Sequence, residues 1–110
     1  NMDKCNLDTV GGRVTYLRKL KGWTQEELAE AADVSVQFIS SVEQGRTNVR
    51  SDYIVMLARV LEVSVDFILE GKTTPRDAEA LVSMIGGLSG PAYIHLRNIV
   101  VEYCKSHGQN

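Results

Sequence analysis

The sequence of 110 residues predicts an all-α protein, with five short helices in a first domain and two more in a C-terminal extension. Apolar residues recur at the i, i+3, i+4 spacing of amphipathic helices, and no stretch sustains the alternation of a half-buried strand. N-capping residues precede these stretches, and glycines follow several of them. The expected boundaries are residues 10–71 for the first domain, 72–77 for a linker and 78–107 for a helical hairpin.

The first three helices each have a local start or stop signal. Gly22 ends the first helix, and Thr24 with Glu27 has the spacing of a capping box at the start of the second. Ser35 is the expected N-cap of the third helix, and Gly45 is its expected stop. We predict these helices over residues 11–21, 25–32 and 36–44. The residues predicted to face the core are Val14, Leu17, Leu20, Leu28, Ala29, Ala32, Ile39 and Val42.

Four further helices follow the first three. A fourth is marked by apolar spacing, and Ser64 caps a fifth, which Gly71 closes. Thr74 and Pro75 have the cap and first-position chemistry of a sixth helix, and Pro91 starts a seventh. The residues that mark the fourth helix are Ile54, Leu57, Ala58 and Leu61, and the fifth helix carries Val65, Ile68 and Leu69. The last two helices are expected over residues 75–85 and 91–105.

The seventh helix carries apolar residues on more than one stripe. The apolar surface of this terminal helix is wider than one neighbouring helix can cover. We therefore expect the helix to contact a second copy of the chain. The alternative is that it packs entirely onto the first five helices. The residues expected in a dimer interface are Ile94, Leu96, Ile99, Val100 and Tyr103.

The overall charge nearly balances, with a formal net charge of −2. This balance counts against nucleic-acid binding through a general basic field, although it leaves room for a local basic rim. No apolar run approaches the roughly 18 residues of a membrane span, so we expect no membrane partner. No secretory pattern appears among the first residues, and we therefore expect a cytoplasmic protein.

The cysteines and histidines do not form a recognisable site. Cys5 and Cys104 lie near opposite ends without CxxC spacing, and His95 and His107 stand alone. We expect reduced thiols rather than a disulfide, and neither a metal nor a cofactor. The chain also lacks a clustered Ser/His/Asp or Cys/His set and a glycine-rich phosphate loop. We therefore expect a protein that is not an enzyme.

Residues 25–44 have the pattern of two helices that cross at a steep angle. Ala29 is small where the two backbones approach, and Ile39 and Val42 anchor the second helix. Asp33 occupies the turn, where glycine is usual, and aspartate is among the few other residues that adopt a positive φ. We therefore predict a helix-turn-helix whose second helix enters the DNA major groove.

From Val10 to Gly71 the chain resembles the phage repressor/Cro-type helix-turn-helix domain, also called the XRE family. The residues that carry the resemblance are LRKLKGWTQEELAEAADVS, then FISSVEQGR, then LARVLEVSVDFIL. They cover a little over half of the chain in the order and spacing of the family. The resemblance implies a five-helix, repressor-like DNA-binding domain.

The resemblance also implies which residues contact bases, from the start and the outward face of the third helix. For Gln37, the side-chain amide both donates and accepts, which suits the edge of adenine. Val36 has the shape to pack on a thymine methyl group. The alternative for Gln37 is an ordinary solvated position of a helix. The residues carried over as base contacts are Ser35, Val36, Gln37, Ser40 and Ser41.

Contacts with the DNA backbone are expected from residues that flank the two helices. Free N–H groups at the start of the second helix favour a phosphate. The residues expected to contact phosphates are Gln25, Arg46, Asn48 and Arg50. The alternative for the two arginines is a solvated loop. By resemblance, Arg18 and Glu43 look like the family's internal ion pair, with a structural role.

The function implied by the resemblance is that of a bacterial or phage transcriptional regulator that binds specific double-stranded DNA. We expect a repressor that binds a palindromic operator as a homodimer. The alternative is an antitoxin or anti-repressor type of module whose main partner is another protein. The wide apolar hairpin at the C-terminus motivates this alternative, and a regulatory protein partner is part of the expectation.

Overall fold

The computed structural model describes residues 5–108, which form seven α-helices and no strand. The prediction of an all-α protein with a helix-turn-helix domain and C-terminal helices is confirmed. The chain divides into two compact units, one up to Asp77 and one from Ala78 onward. The helices are α1 Val10–Leu20, α2 Gln25–Ala32, α3 Val36–Glu43, α4 Ser51–Leu61, α5 Val65–Glu70, α6 Pro75–Ile85 and α7 Gly90–Ser106.

One aliphatic core joins the first five helices. Burying such a side chain completely stabilises the fold by about 1.5–3 kcal/mol. Partly buried side chains, among them those of Trp23 and Phe38, pack against the edge of this core. The core residues are Val14, Leu17, Leu28, Ala29, Ala32, Ile39, Val42, Ile54, Leu57, Ala58, Leu61 and Ile68.

Leu20, predicted to share the apolar stripe of the first helix, does not face this core, and that prediction was wrong. Leu20 is 54% exposed because it lies about 120° around α1 from Val14. Arg18 lies only about 40° from Val14 and takes the inward position instead. Leu69 is 47% exposed because it lies about 100° around the short helix α5 from the buried Ile68.

Helices α1 and α3 approach each other by their backbones at Gly11. A Cβ atom at this position would lie 2.3 Å from the carbonyl oxygen of Val42 and 2.6 Å from that of Glu43. Any side chain here would therefore push the two helices apart. Glycine at this position sets the distance between α1 and α3.

Arg13 is a buried cation, with 5% of its surface exposed. Its guanidinium donates to the carbonyl oxygens of Ile68, Leu69 and Leu7, each at 2.8 Å. The first two carbonyls belong to the C-terminal end of α5, where helix carbonyls lack intrahelical partners and a cation is favoured. Arg13 thus joins α1, α5 and the segment that precedes α1.

Helix α6 begins at Pro75, as predicted for the sixth helix, and so overlaps the segment expected as a linker. Thr74 and Asp77 form a reciprocal cap in which the Thr74 N–H donates to Asp77 Oδ2 at 2.6 Å. The Asp77 N–H in turn donates to Thr74 Oγ1 at 3.4 Å. This cap is the reason that the helix starts before the predicted hairpin boundary.

The C-terminal unit is a pair of helices that leave their apolar residues accessible. None of the residues of α6 or α7 is buried in the chain as described. A small apolar cleft of about 180 Å³ lies between the end of α6 and one face of α7, with Ile85, Tyr93, Leu96 and Val100 in its lining. None of the helices within residues 5–108 is long and apolar enough to cross a membrane.

Candidate nucleic-acid interface

The turn between α2 and α3 is built around Asp33, which has φ 56° and ψ 47°. Its N–H donates to the carbonyl of Glu30 at 3.2 Å, and the N–H of Val34 donates to that of Ala29 at 3.0 Å. These two bonds form the Schellman arrangement that closes a helix through a left-handed residue. Aspartate adopts this conformation at a modest cost relative to glycine.

Helix α3 starts immediately after this turn and holds one face outward. Ser35 caps it, since its Oγ accepts a hydrogen bond from the N–H of Phe38 at 3.0 Å. Ile39 and Val42 are buried in the core and fix the rotation of the helix. Among the predicted base-contact residues, the structure leaves Ser35 and Gln37 exposed and Val36, Ser40 and Ser41 half-buried.

The end of α3 and the loop after it form a short polar rim. Gln44 Nε2 donates to Ser40 Oγ at 3.0 Å, and Arg46 Nη2 donates to Gln44 Oε1. Asn48 is exposed in the same loop. The structure therefore brings a predicted base contact, Ser40, and a predicted phosphate contact, Arg46, onto one glutamine.

Arg50 differs from Arg46, because its guanidinium already forms a salt bridge with an acidic side chain. Its Nη2 donates to Asp52 Oδ2 at 2.9 Å, and its guanidinium lies 5.3 Å from the centre of the Tyr53 ring. The hydrogen bond from Arg50 lowers the pKa of Asp52, so this carboxylate stays charged beside the guanidinium. A phosphate at Arg50 would have to compete with Asp52.

Gln25 lies at the start of α2, but its side chain points toward an internal ion pair. Its Nε2 donates to Glu43 Oε1 at 3.1 Å. Glu43 also accepts two bonds from Arg18, from Nε at 2.7 Å and from Nη2 at 3.0 Å. Arg18 Nη1 donates to the carbonyl of Trp23 at 2.8 Å. These residues link α1, the start of α2 and the last residue of α3.

Two residues that support this surface have no recognisable signal in the sequence. Gln44 has the appearance of a solvated residue at a helix end, and its contact with Arg46 depends on how the chain turns at Gly45. Tyr53 packs against Phe38, with ring centres 4.8 Å apart, and so supports α3 from the start of α4. The apolar spacing of α4 indicated its inward residues but not this aromatic pair.

The residues predicted for a dimer interface lie on two faces of α7. Leu96 and Val100 line the cleft shared with the end of α6. Ile99 and Tyr103 line a second, shallower face, where they are 51% and 61% exposed. Ile94 is 52% exposed near the start of the helix. Both faces are therefore accessible in the single chain.

Known proteins resemble this chain mainly in the first unit. A helix-turn-helix family model matches residues 14–68. The HTH-type transcriptional regulator SinR of Bacillus subtilis is 38% identical over 64 residues, which cover 57% of this chain and 58% of SinR. This chain thus spans less than two thirds of the length of that relative.

A second relative is covered more completely. The HTH-type transcriptional regulator y4dJ of Sinorhizobium fredii, itself uncharacterised, is 39% identical over 67 residues, or 60% of this chain and 87% of y4dJ. Among solved structures, a complex of the SinR and SinI proteins aligns with a TM-score of 0.57 and 27% identity. That alignment covers 89% of this chain and 99% of the matched chain.

Proposed function

Because this chain belongs to the XRE-type helix-turn-helix family of transcriptional regulators, we propose that it represses transcription by binding a palindromic operator as a homodimer. The outward face of α3 would read base edges in the major groove of each half-site. Repression would follow because the bound dimer excludes polymerase from the promoter. The protein would act in the cytoplasm.

The observation that carries this proposal is the outward face of α3 beside a cationic loop. Gln37 is exposed on a helix whose opposite side is buried through Ile39 and Val42. Arg46 and Asn48 follow in the exposed loop, where they are suited to phosphate oxygens. Neutral side chains suit base edges, and a neighbouring cation suits the DNA backbone. This division of roles is expected of a protein that binds a specific DNA sequence.

The roles proposed for individual residues follow from their chemistry and exposure. We assign phosphate contact to Arg46, Asn48 and Arg50. We assign base contact to the N-cap of α3 and to four residues of the helix itself, which are Ser35, Val36, Gln37, Ser40 and Ser41. For Gln25, a phosphate would meet the free N–H groups at the start of α2, because the side-chain amide is engaged with Glu43.

Binding-site selection with the purified full chain tests the DNA-reading role. We expect an enriched inverted repeat with half-sites about 34 Å apart. Gln37→Ala should weaken binding to that site by roughly 5- to 150-fold and relax the preference at one base pair, since a bidentate base contact is worth about 1–3 kcal/mol. Glu79→Ala, an exposed change in α6, serves as the control. The proposal fails if no repeat is enriched and Gln37→Ala binds like wild type.

The apolar faces of α7 support the homodimer. A single chain with Ile99 and Tyr103 this exposed presents an apolar surface that a second copy would bury. Sedimentation of the full chain should reveal a dimer at tens of micromolar, and Ile99→Asp should shift it toward monomer. A full chain that is monomeric at that concentration would contradict homodimerisation.

A second candidate function is that of a module whose main partner is another protein. The accessible faces of α7 favour it, together with the similarity to SinR, which was solved in complex with the SinI protein. Co-expression with the products of neighbouring genes, followed by purification of the full chain, separates the two. A stable hetero-complex with a chain that does not self-associate would favour this second function.

A further inference from the structure

Gln44 is the residue at which two proposed DNA contacts meet. Its amide nitrogen donates to Ser40 Oγ at 3.0 Å, and its amide oxygen accepts from Arg46 Nη2. A glutamine amide has one donor end and one acceptor end, and both ends are used here. Ser40, Gln44 and Arg46 therefore form one hydrogen-bonded row along the outer side of the end of α3.

The backbone at the end of α3 makes this row possible. Gly45 has φ 72°, and its N–H donates to the carbonyl of Val42 at 3.1 Å. The N–H of Arg46 donates to the carbonyl of Ser41 at 2.9 Å. This Schellman closure turns the chain back on itself and brings Arg46 alongside the last turn of the helix. The side chain of Gln44 leans toward the N-terminus, as helical side chains do, and so reaches Ser40 one turn earlier.

We propose that Gln44 is a positioning residue of the DNA interface, which couples a base contact by Ser40 to a phosphate contact by Arg46. This inference rests on the proposed function, since it assigns a role within the same surface. Gln44 acts through its two neighbours and needs no contact of its own with DNA.

The coupling follows from the hydrogen-bond donors that remain on Ser40 and Arg46 once each is bonded to Gln44. Because Ser40 Oγ accepts from Gln44, its hydroxyl hydrogen points elsewhere and is available as a donor. A donor at this place suits an acceptor such as purine N7, guanine O6 or thymine O4. Ser40 is thereby set to read acceptors on the base edge.

Arg46 gains orientation from the same glutamine. Its guanidinium is planar and has five N–H donors, of which Gln44 takes one. The remaining donors lie in a fixed plane, which suits a bidentate contact with a phosphate. Fixing this flexible side chain before binding reduces the ordering cost that DNA binding would otherwise carry.

A double-mutant cycle on the full chain tests the coupling. Affinity for the selected duplex is measured by fluorescence anisotropy for wild type, Ser40→Ala, Arg46→Ala and the double variant. The same four proteins are then prepared in a Gln44→Met background, which keeps the length of the side chain but removes both amide bonds. Circular dichroism confirms that each variant is folded.

Each variant is compared by the factor by which its Kd exceeds that of wild type. For the double variant we expect this factor to be at least about threefold smaller than the product of the two single factors, because the effects of coupled residues are non-additive. In the Gln44→Met background, the losses should multiply to within about twofold, as for independent sites. Gln44→Met alone should weaken binding while reducing the salt slope by less than Arg46→Ala, which removes a phosphate contact and about one unit of slope.

The possible results separate this inference from the proposed function. If wild type binds its selected duplex and Ser40→Ala and Arg46→Ala act independently, the inference is wrong and the proposed function stands. Coupling of equal size in the Gln44→Met background also overturns it, because the coupling would then pass elsewhere. If wild type prefers no duplex at all, both the proposed function and this inference fail.

Discussion

The carboxylate of Glu43 accepts two hydrogen bonds from the guanidinium of Arg18, at 2.7 and 3.0 Å. The two side chains are 11% and 5% exposed, in the order Arg18 and Glu43, so water screens the pair weakly. Bidentate pairs of this kind are the strong form of the arginine–carboxylate interaction. The pair connects α1 to the last residue of α3, the proposed recognition helix.

Loss of this pair should be costly. Glu43→Ala is expected to lower the free energy of unfolding by about 3–5 kcal/mol, because it leaves a buried guanidinium without its carboxylate. Urea unfolding followed by Trp23 fluorescence measures this loss. The double variant Arg18→Met/Glu43→Leu should be less destabilised than the sum of its single changes. Asp52→Asn is the control, because it breaks an exposed pair and should change the free energy of unfolding by no more than about 1 kcal/mol. An effect of Glu43→Ala as small as that of the control would contradict a structural role for the buried pair.

Asp33 provides a test of the turn. Because its φ of 56° is one that glycine adopts freely, Asp33→Gly should change the free energy of unfolding by no more than about 1 kcal/mol. Asp33→Val should cost more, about 1–2 kcal/mol, since a β-branched residue is strained there. Thermal and urea unfolding compare the two variants. A loss of several kcal/mol for Asp33→Gly would mean that the aspartate has a role beyond backbone conformation.

Gly11 should tolerate no side chain. Gly11→Ala places a methyl group within 2.6 Å of two carbonyl oxygens of α3, and it should destabilise the domain by about 1–3 kcal/mol or more. The recognition helix should also shift, so affinity for the selected DNA should fall. Gly87→Ala is the matched control, because the nearest atom to a Cβ there, outside its chain neighbours, is the carbonyl oxygen of Met84 at 3.8 Å, which is an ordinary contact. Equal stability of the two variants would rule out a tight approach at Gly11.

Asp77 predicts a pH dependence at the start of α6. The hydrogen bond from the Thr74 N–H is the main reason that the pKa of Asp77 lies below its ordinary 3.8. Since the pKa is lower in the folded state, the cap contributes fully above the ordinary value and is lost as the pH falls through the folded pKa. An NMR titration of the Asp77 carboxyl carbon should have its midpoint below 3.8. Thr74→Ala removes the side-chain hydroxyl but keeps the main-chain donor, so it should raise the midpoint only part of the way toward 3.8. A wild-type midpoint at or above 3.8 would contradict the cap.

The parts of the fold that could be predicted from the sequence have local causes. Thr24 and Ser35 cap the helices that follow them, and Gly45 closes α3, so the helix-turn-helix follows from signals within a few residues. The outward face of α3 follows in turn, because the buried Ile39 and Val42 determine which side remains.

The parts that could not be predicted depend on residues distant in the chain. Arg13 bonds carbonyls 55 and 56 residues away, and an arginine within a helix otherwise resembles a solvated position. Gln25 has the local setting of a phosphate ligand, but its amide bonds Glu43, 18 residues later.

The approach at Gly11 has a consequence for how this surface can change. Backbone atoms, rather than the outward side chains, set the distance between α1 and α3. Exchanging the exposed side chain of Gln37 therefore leaves α3 where it is, whereas Val36 also packs against the core. If α3 reads bases as proposed, its preference can be redesigned, or altered in the course of evolution, through such exposed side chains while the scaffold stays constant.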